Sequence, residues 1–156
     1  MVAIAVRLLE ESFRKKAWHG TNLRGSIRGL TVAQASWRPA PGRHTIADIV
    51  VHTAYWKYAV RRRLTGEKRG SFPLKGSNWF RLPDPLSEAD WKGYVRLLET
   101  EHSAMMAVIA GLSDAALQLK SPGSKLSHAT VVFGIAAHDV YHAGQIQTLK
   151  ALQKSR

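Results

Sequence analysis

Seven histidines and no cysteine set the terms on which this chain could do chemistry. Without a thiol there is no disulfide, no thiolate nucleophile and no sulfur ligand, so any metal ion must be held by nitrogen or oxygen. His138 and His142 stand four residues apart in a segment of helical periodicity. That spacing brings both imidazoles onto one face, with Cβ atoms about 5–6 Å apart. The pair shares its stripe with Ile135, Ile146 and Leu149. Two unpartnered imidazoles there would carry a desolvation cost of about 2 kcal/mol or more, which coordination to one divalent ion would offset. His52, three residues after Ile49 and four before Trp56, lies on the edge of another apolar stripe. It reads either as a third ligand or as a hydrogen-bonded core histidine. Three imidazoles would form a neutral, borderline-soft set with at least one open position, as a catalytic ion needs and a closed structural site lacks.

Further residues are candidates for the surroundings of such an ion. His102 interrupts an otherwise apolar stripe at a depth similar to that of His138, and reads as a fourth ligand, a pocket residue or a core histidine. His19, in the triplet Trp18-His19-Gly20, would match the depth of His52 if the first two helices are antiparallel. Trp56 lies one turn beyond His52, and Gln145, three residues after His142, is placed to orient a ligand or a bound water. Tyr141 and Asp139 fall beside the site or on a subunit face, while His44 and His128 sit at helix entrances, where exposure is expected. The chain shows no nucleophile elbow, no phosphate-binding glycine loop and no paired carboxylates, so the metal is its only evident chemistry. No residue identifies itself as a general base.

The elements that must position these residues read as four helices. A first segment over residues 3–29 carries Val6, Leu9, Phe13, Ala17, Leu23 and Ile27 at helical spacing, with Gly20, Thr21 and Asn22 as a place to kink or restart. The second starts at Thr45, where Asp48 completes a capping box, and stops at Thr65 or Gly66. Its stripe is Ile46, Ile49, Thr53, Trp56, Val60 and Leu64. Ser87 and Asp90 repeat the cap for a third helix to about Ala110, and the fourth begins near Ser127. Between the second and third lies EKRGSFPLKGSNWFRLPDPL, with three prolines and two glycines, long enough for a crossover that would leave those helices parallel. The expected fold is an all-α four-helix bundle with a long helix 2 to helix 3 crossover.

The 156 residues suit one domain, 1–156. The amino terminus, MVAIAVRLLEESF, is broken by Arg7, Glu10 and Glu11 and does not read as a signal peptide. No apolar stretch approaches the ~20 residues needed to span a bilayer, so a cytoplasmic protein without membrane attachment is expected. Lysine and arginine outnumber acids 23 to 11, a formal charge of +12 that raises an anionic partner. The dense runs, however, are Arg61, Arg62 and Arg63 at one helix end and Lys150, Lys154 and Arg156 at another, where cations suit the macrodipole and face water. No aromatics alternate with them to stack bases, which disfavours a nucleic-acid partner.

The stretches HTIADIVVHTAYWKYAVRRRLTG and GIAAHDVYHAGQIQTLK resemble the DinB superfamily of small bacterial metal-binding bundles, and WHGTNLRGSIRGLT and WRPAPGRH resemble the opening of many members. The resemblance implies a four-helix fold with the same crossover, commonly as a homodimer, with metal ligands at His52, His138 and His142. Thr130 stands where the family often has an acidic residue early in the fourth helix. Members include transferases and isomerases that use low-molecular-weight thiols such as bacillithiol or mycothiol, and others labelled hydrolases by inference. The sequence therefore points to Lewis-acid activation of a water or thiol by one divalent transition metal, zinc or nickel, acting on a small-molecule substrate. The alternative is a non-enzymatic anion or nucleic-acid binding protein with a structural metal.

Overall fold

A computed structural model describes residues 1–155; Arg156, the last of the terminal basic group, lies outside the described residues. Among these residues the structure is helical and has no strand: α1 (Val2–Phe13), α2 (Leu23–Ser26), α3 (Val32–Ser36), α4 (Ile46–Thr65), α5 (Glu88–Ala110), a single 3-10 turn (Ala116–Gln118) and α6 (His128–Lys154). The four long helices are those read from the sequence, with one correction. The first does not run to residue 29. It ends at Phe13, the chain passes through Gly20 at φ 101, and Asn22 opens α2 by accepting from the Gly25 amide. A left-handed glycine followed by a capping asparagine restarts a helix instead of bending one. The short α3 was not anticipated, although Thr31 and Gln34 form a reciprocal capping box at its start.

The caps foreseen for α4 and α5 are formed. Thr45 and Asp48 each bond the other's backbone amide, as do Ser87 and Asp90, and Gly66 closes α4 in the left-handed conformation at φ 76. Two clusters divide the core. Phe13, Ile46, Val50, Trp91, Leu98 and Ile146 meet at one end, and Leu9, Val60, Met105, Ile109, Val132 and Ile135 at the other. The first halves of α4 and α5 thus share one end and their second halves the other, so these two helices run parallel, with residues 66–87 as the connection. α6 runs against them. α4 is buried almost all round, from Ile46 and Ala47 through Ala54, Lys57 and Val60, and is the axis of the bundle rather than a helix with one apolar stripe.

That burial includes a charge. Lys57 of α4 and Asp139 of α6 are both fully buried, with Nζ 2.5 Å from Oδ2. Lys57 also stands 4.9 Å over the Phe13 ring, whose face stacks on His102 of α5 at 3.7 Å. Burial pushes the Lys57 amine down and the Asp139 carboxyl up from their ordinary values, and each partner's charge opposes that drift. Asp139 therefore belongs to the interior and not to a cleft or subunit face.

The arginine run differs from the solvated surface that the sequence suggested. Arg61 bonds Glu67 at 2.7 Å and approaches Glu101 at 3.7 Å, and Arg61 and Arg62 both lie against the Tyr58 ring. Arg63 lies over Trp56. Arg61 and Arg62 are half-buried, because Tyr58, one turn earlier on α4, offers its ring to both guanidinium groups.

Removing one member of the buried pair strands the other. Lys57→Ala is expected to lose about 3–5 kcal/mol of unfolding free energy, while Lys57→Met with Asp139→Leu recovers most of it. Urea denaturation of both variants checks this; a single variant no less stable than the double one would show that the pair does not hold the bundle together.

Candidate metal centre

α4 and α6 deliver three imidazoles to one point. His52 Nε2 lies 3.2 Å from His138 Nε2, which lies 3.1 Å from His142 Nε2, and the nearest nitrogens of all three residues fall within 4.8 Å of one another. Tetrahedral zinc with nitrogens at 2.0–2.1 Å would set ligand atoms about 3.3 Å apart, so the cluster has the dimensions of a coordination sphere.

Proton accounting supports the same reading. His52 Nδ1 donates to the Asn78 carbonyl at 2.9 Å, and His142 Nδ1 donates to Gln145 Oε1 at 2.6 Å. In a neutral imidazole the other nitrogen is then a lone pair, so His52 and His142 both aim lone pairs at His138 Nε2. A single N–H on His138 could satisfy only one of them. A cation at their meeting point satisfies all three, and leaves the His138 proton on Nδ1, a buried nitrogen with no partner among the described residues. The residues present fit a divalent ion.

Electrostatics keep the rings neutral. Burial lowers the pKa of His52, and burial with neighbouring imidazoles brings His138 down to about 3 and His142 to about 4. A histidine ligates as the neutral base, so all three are ready at neutral pH without first losing a proton.

The second layer comes largely from the connection between α4 and α5. Asn78 adopts φ 65, in the left-handed region that asparagine tolerates better than most residues. This conformation turns its carbonyl to His52 while its Oδ1 accepts from Trp56 Nε1 at 2.9 Å. The Trp79 indole stacks on His52 at 3.9 Å, and its other neighbour is His44, stacked at 3.5 Å. On the far side Gln145 Nε2 donates to the Tyr141 hydroxyl at 3.0 Å. Trp56, Asn78, Trp79, Tyr141 and Gln145 with the three histidines line an open cleft of about 450 Å³.

A family model for the DinB superfamily matches residues 17–146. The chain belongs to the DinB superfamily. No curated protein and no solved structure matches it. In this DinB protein the three positions that the resemblance implied as ligands are the three that the fold brings together.

The other sequence candidates divide. Gln145 and Trp56 lie at the cluster, Gln145 on His142 and Trp56 edge-on to both His52 and His138 at 6.3 Å. His102 does not reach it: the ring is fully buried against Phe13, its pKa is depressed to about 2 by burial and by Lys57, and neither nitrogen has a partner among the described residues. Its depth along the bundle resembles that of His138, but α5 presents it to α1. His19 stands exposed in the turn before α2, because α1 stops six residues short of it. His128, expected to be exposed, is buried, with Nδ1 bonded to the Ala116 carbonyl and Nε2 facing Ser121 Oγ. Asn78 and Trp79 were missed; their only signal was an asparagine beside aromatics in an otherwise turn-rich stretch.

The depressed histidines make the metal-free protein acid-sensitive. Below the ordinary value of 6.5 the unfolded chain takes up protons that His138 and His142 refuse until about 3 and about 4. Stability is therefore fully present above 6.5 and falls as pH drops, each such histidine adding up to about 1.4 kcal/mol per pH unit. Melting temperature of the metal-free form should fall between pH 6.5 and 4.5, and less steeply in the triple glutamine variant of His52, His138 and His142. Equal slopes would mean that these imidazoles are not held neutral by the fold.

Proposed function

We propose that this protein is a metal-dependent enzyme whose His52, His138 and His142 hold one divalent ion at the floor of an aromatic cleft open to small molecules. The observation that carries this is the convergence of three Nε2 atoms, two of them committed as lone pairs by their Nδ1 bonds to Asn78 and Gln145. When bound, a divalent ion with three neutral ligands retains its double charge and supplies Lewis-acid chemistry, polarising an oxygen or favouring a thiolate at neutral pH.

The chain's own residues define the rest. His52 is fixed in tautomer and ring plane by the Asn78 carbonyl and by Trp79; His142 is fixed by Gln145, itself tied to Tyr141. Trp56, Trp79 and Tyr141 line the cleft with aromatic surface that suits the apolar part of a substrate. No carboxylate lines the cleft, so a cosubstrate that ionises on binding, such as a low-molecular-weight thiol, suits it better than a reaction that needs a strong protein base. Thiol transfer is therefore the favoured reaction and hydrolysis the next. A zinc or nickel ion, a homodimer and a cytoplasmic setting belong to the same reading. Among the described residues no helix is long and apolar enough to cross a membrane. The rival reading, an anion or nucleic-acid binding protein, loses support because Arg61 and Arg62 are engaged within the fold.

Elemental analysis after repletion with zinc or nickel should give about one divalent ion per chain. Because the ion binds the folded state, it raises the melting temperature by an amount set by its affinity, about 1.4 kcal/mol for each tenfold. His52→Ala leaves the α6 pair and should retain part of that rise; His138→Ala and His142→Ala leave two single ligands on separate helices and should retain less. Metal content near zero in the wild type, or an undiminished rise in all three variants, would remove the proposal. Duplex DNA binding should be weak and lost at physiological salt.

A further inference from the structure

A second cavity adjoins the metal cleft. A groove of about 490 Å³ shares Trp79 and Gln145 with the cleft and is lined besides by Ile49, Leu149, Pro39 and Arg43. Its walls are mostly apolar, and Arg43 brings a cation to them. Arg43 forms no ion pair among the described residues, in contrast to Arg38, which pairs with Asp48 at 3.3 Å.

The backbone of Arg43 is also held in place. Its amide bonds the Ala40 carbonyl at 3.1 Å, its carbonyl accepts from the Arg38 guanidinium, and Thr45 two residues later is the anchored cap of α4. The residue is thus exposed on a hydrogen-bonded turn, with no carboxylate paired to it among the described residues. Its planar fork matches a carboxylate through two parallel hydrogen bonds.

We propose that this groove is the subsite for the tail of the substrate or cosubstrate, and that it selects an elongated molecule with an apolar body ending in a carboxylate. The head reaches the histidine cluster, the body lies along Trp79 and Leu149, and the acid meets Arg43. The inference deepens the metal-dependent reading and rests on it for the head group, whereas the acid preference depends on Arg43 alone. The formal charge of +12 favours the approach of such an anion without selecting it.

Isothermal titration of zinc-loaded protein with mercaptohexanoate and with mercaptohexanol tests the subsite, because the two probes differ only in the terminal acid. The acid should bind about tenfold more tightly than the alcohol. Arg43→Gln should bring that ratio close to unity, Arg43→Lys should restore part of it, and Arg28→Gln, an exposed arginine outside the groove, should leave it as in the wild type. The same titrations on chelator-stripped protein separate the two readings. Loss of zinc should weaken both probes by a similar factor, and an Arg43-dependent acid preference that persists without any effect of zinc would keep the groove while removing the metal. Equal affinities for acid and alcohol in the wild type, a preference that survives Arg43→Gln, or no binding of either probe would overturn the proposal.

Discussion

The contact between Lys57 and Asp139 is the constraint on which the site depends. It joins α4 to α6, the two helices that carry the histidines, and Asp139 directly follows His138 in the chain. Hydrophobic packing alone is tolerant of small slides and rotations, since one apolar contact replaces another at little cost. A buried ion pair is not tolerant, because a slide that parts the charges leaves both desolvated and unpaired. The pair thereby fixes the rotation and register of α4 against α6, and with them the approach of His52 to His138 and His142.

Around that constraint the site is finished by polar bonds that each settle one degree of freedom. The Asn78 carbonyl and Gln145 Oε1 choose the tautomers of two rings, and the Trp79 indole sets the plane of one of them. Asn78 accepts an uncommon backbone conformation to do so, and its side chain is stabilised in return by Trp56. The connection between α4 and α5 is therefore part of the site as well as the route of the chain. It supplies Asn78 and Trp79, which with two helical faces line an open cleft.

The same connection and the turn before α4 link the cleft to its groove. Trp79 stacks on both His52 and His44, so one indole backs an imidazole of the cluster and borders the cavity that Arg43 also lines. The histidine cleft and the groove thus share one aromatic residue in their walls. On the proposed reading, changes in the turn at residues 38–44 would alter which molecules are held while leaving the histidine cluster as it is.

The sequence by itself determined the all-helical class, the capped starts of α4, α5 and α6, the stop at Gly66, and the histidine pair at 138 and 142. These are local properties: a capping box, a left-handed glycine and a four-residue spacing act within one or two helical turns. Resemblance to the family added His52 to the pair. Tertiary structure decided what depends on several elements meeting. It turned His102 toward Phe13 instead of the cluster, buried Asp139 against Lys57, folded Arg61 and Arg62 onto Tyr58, and brought Asn78 and Trp79 to the histidine cluster. Periodicity states that a residue lies on a buried face and at what depth, but not which helix it faces. That is set by the packing of the whole bundle, in which α4 has neighbours all round and a loop residue far from any stripe can supply the bond that orients a ligand.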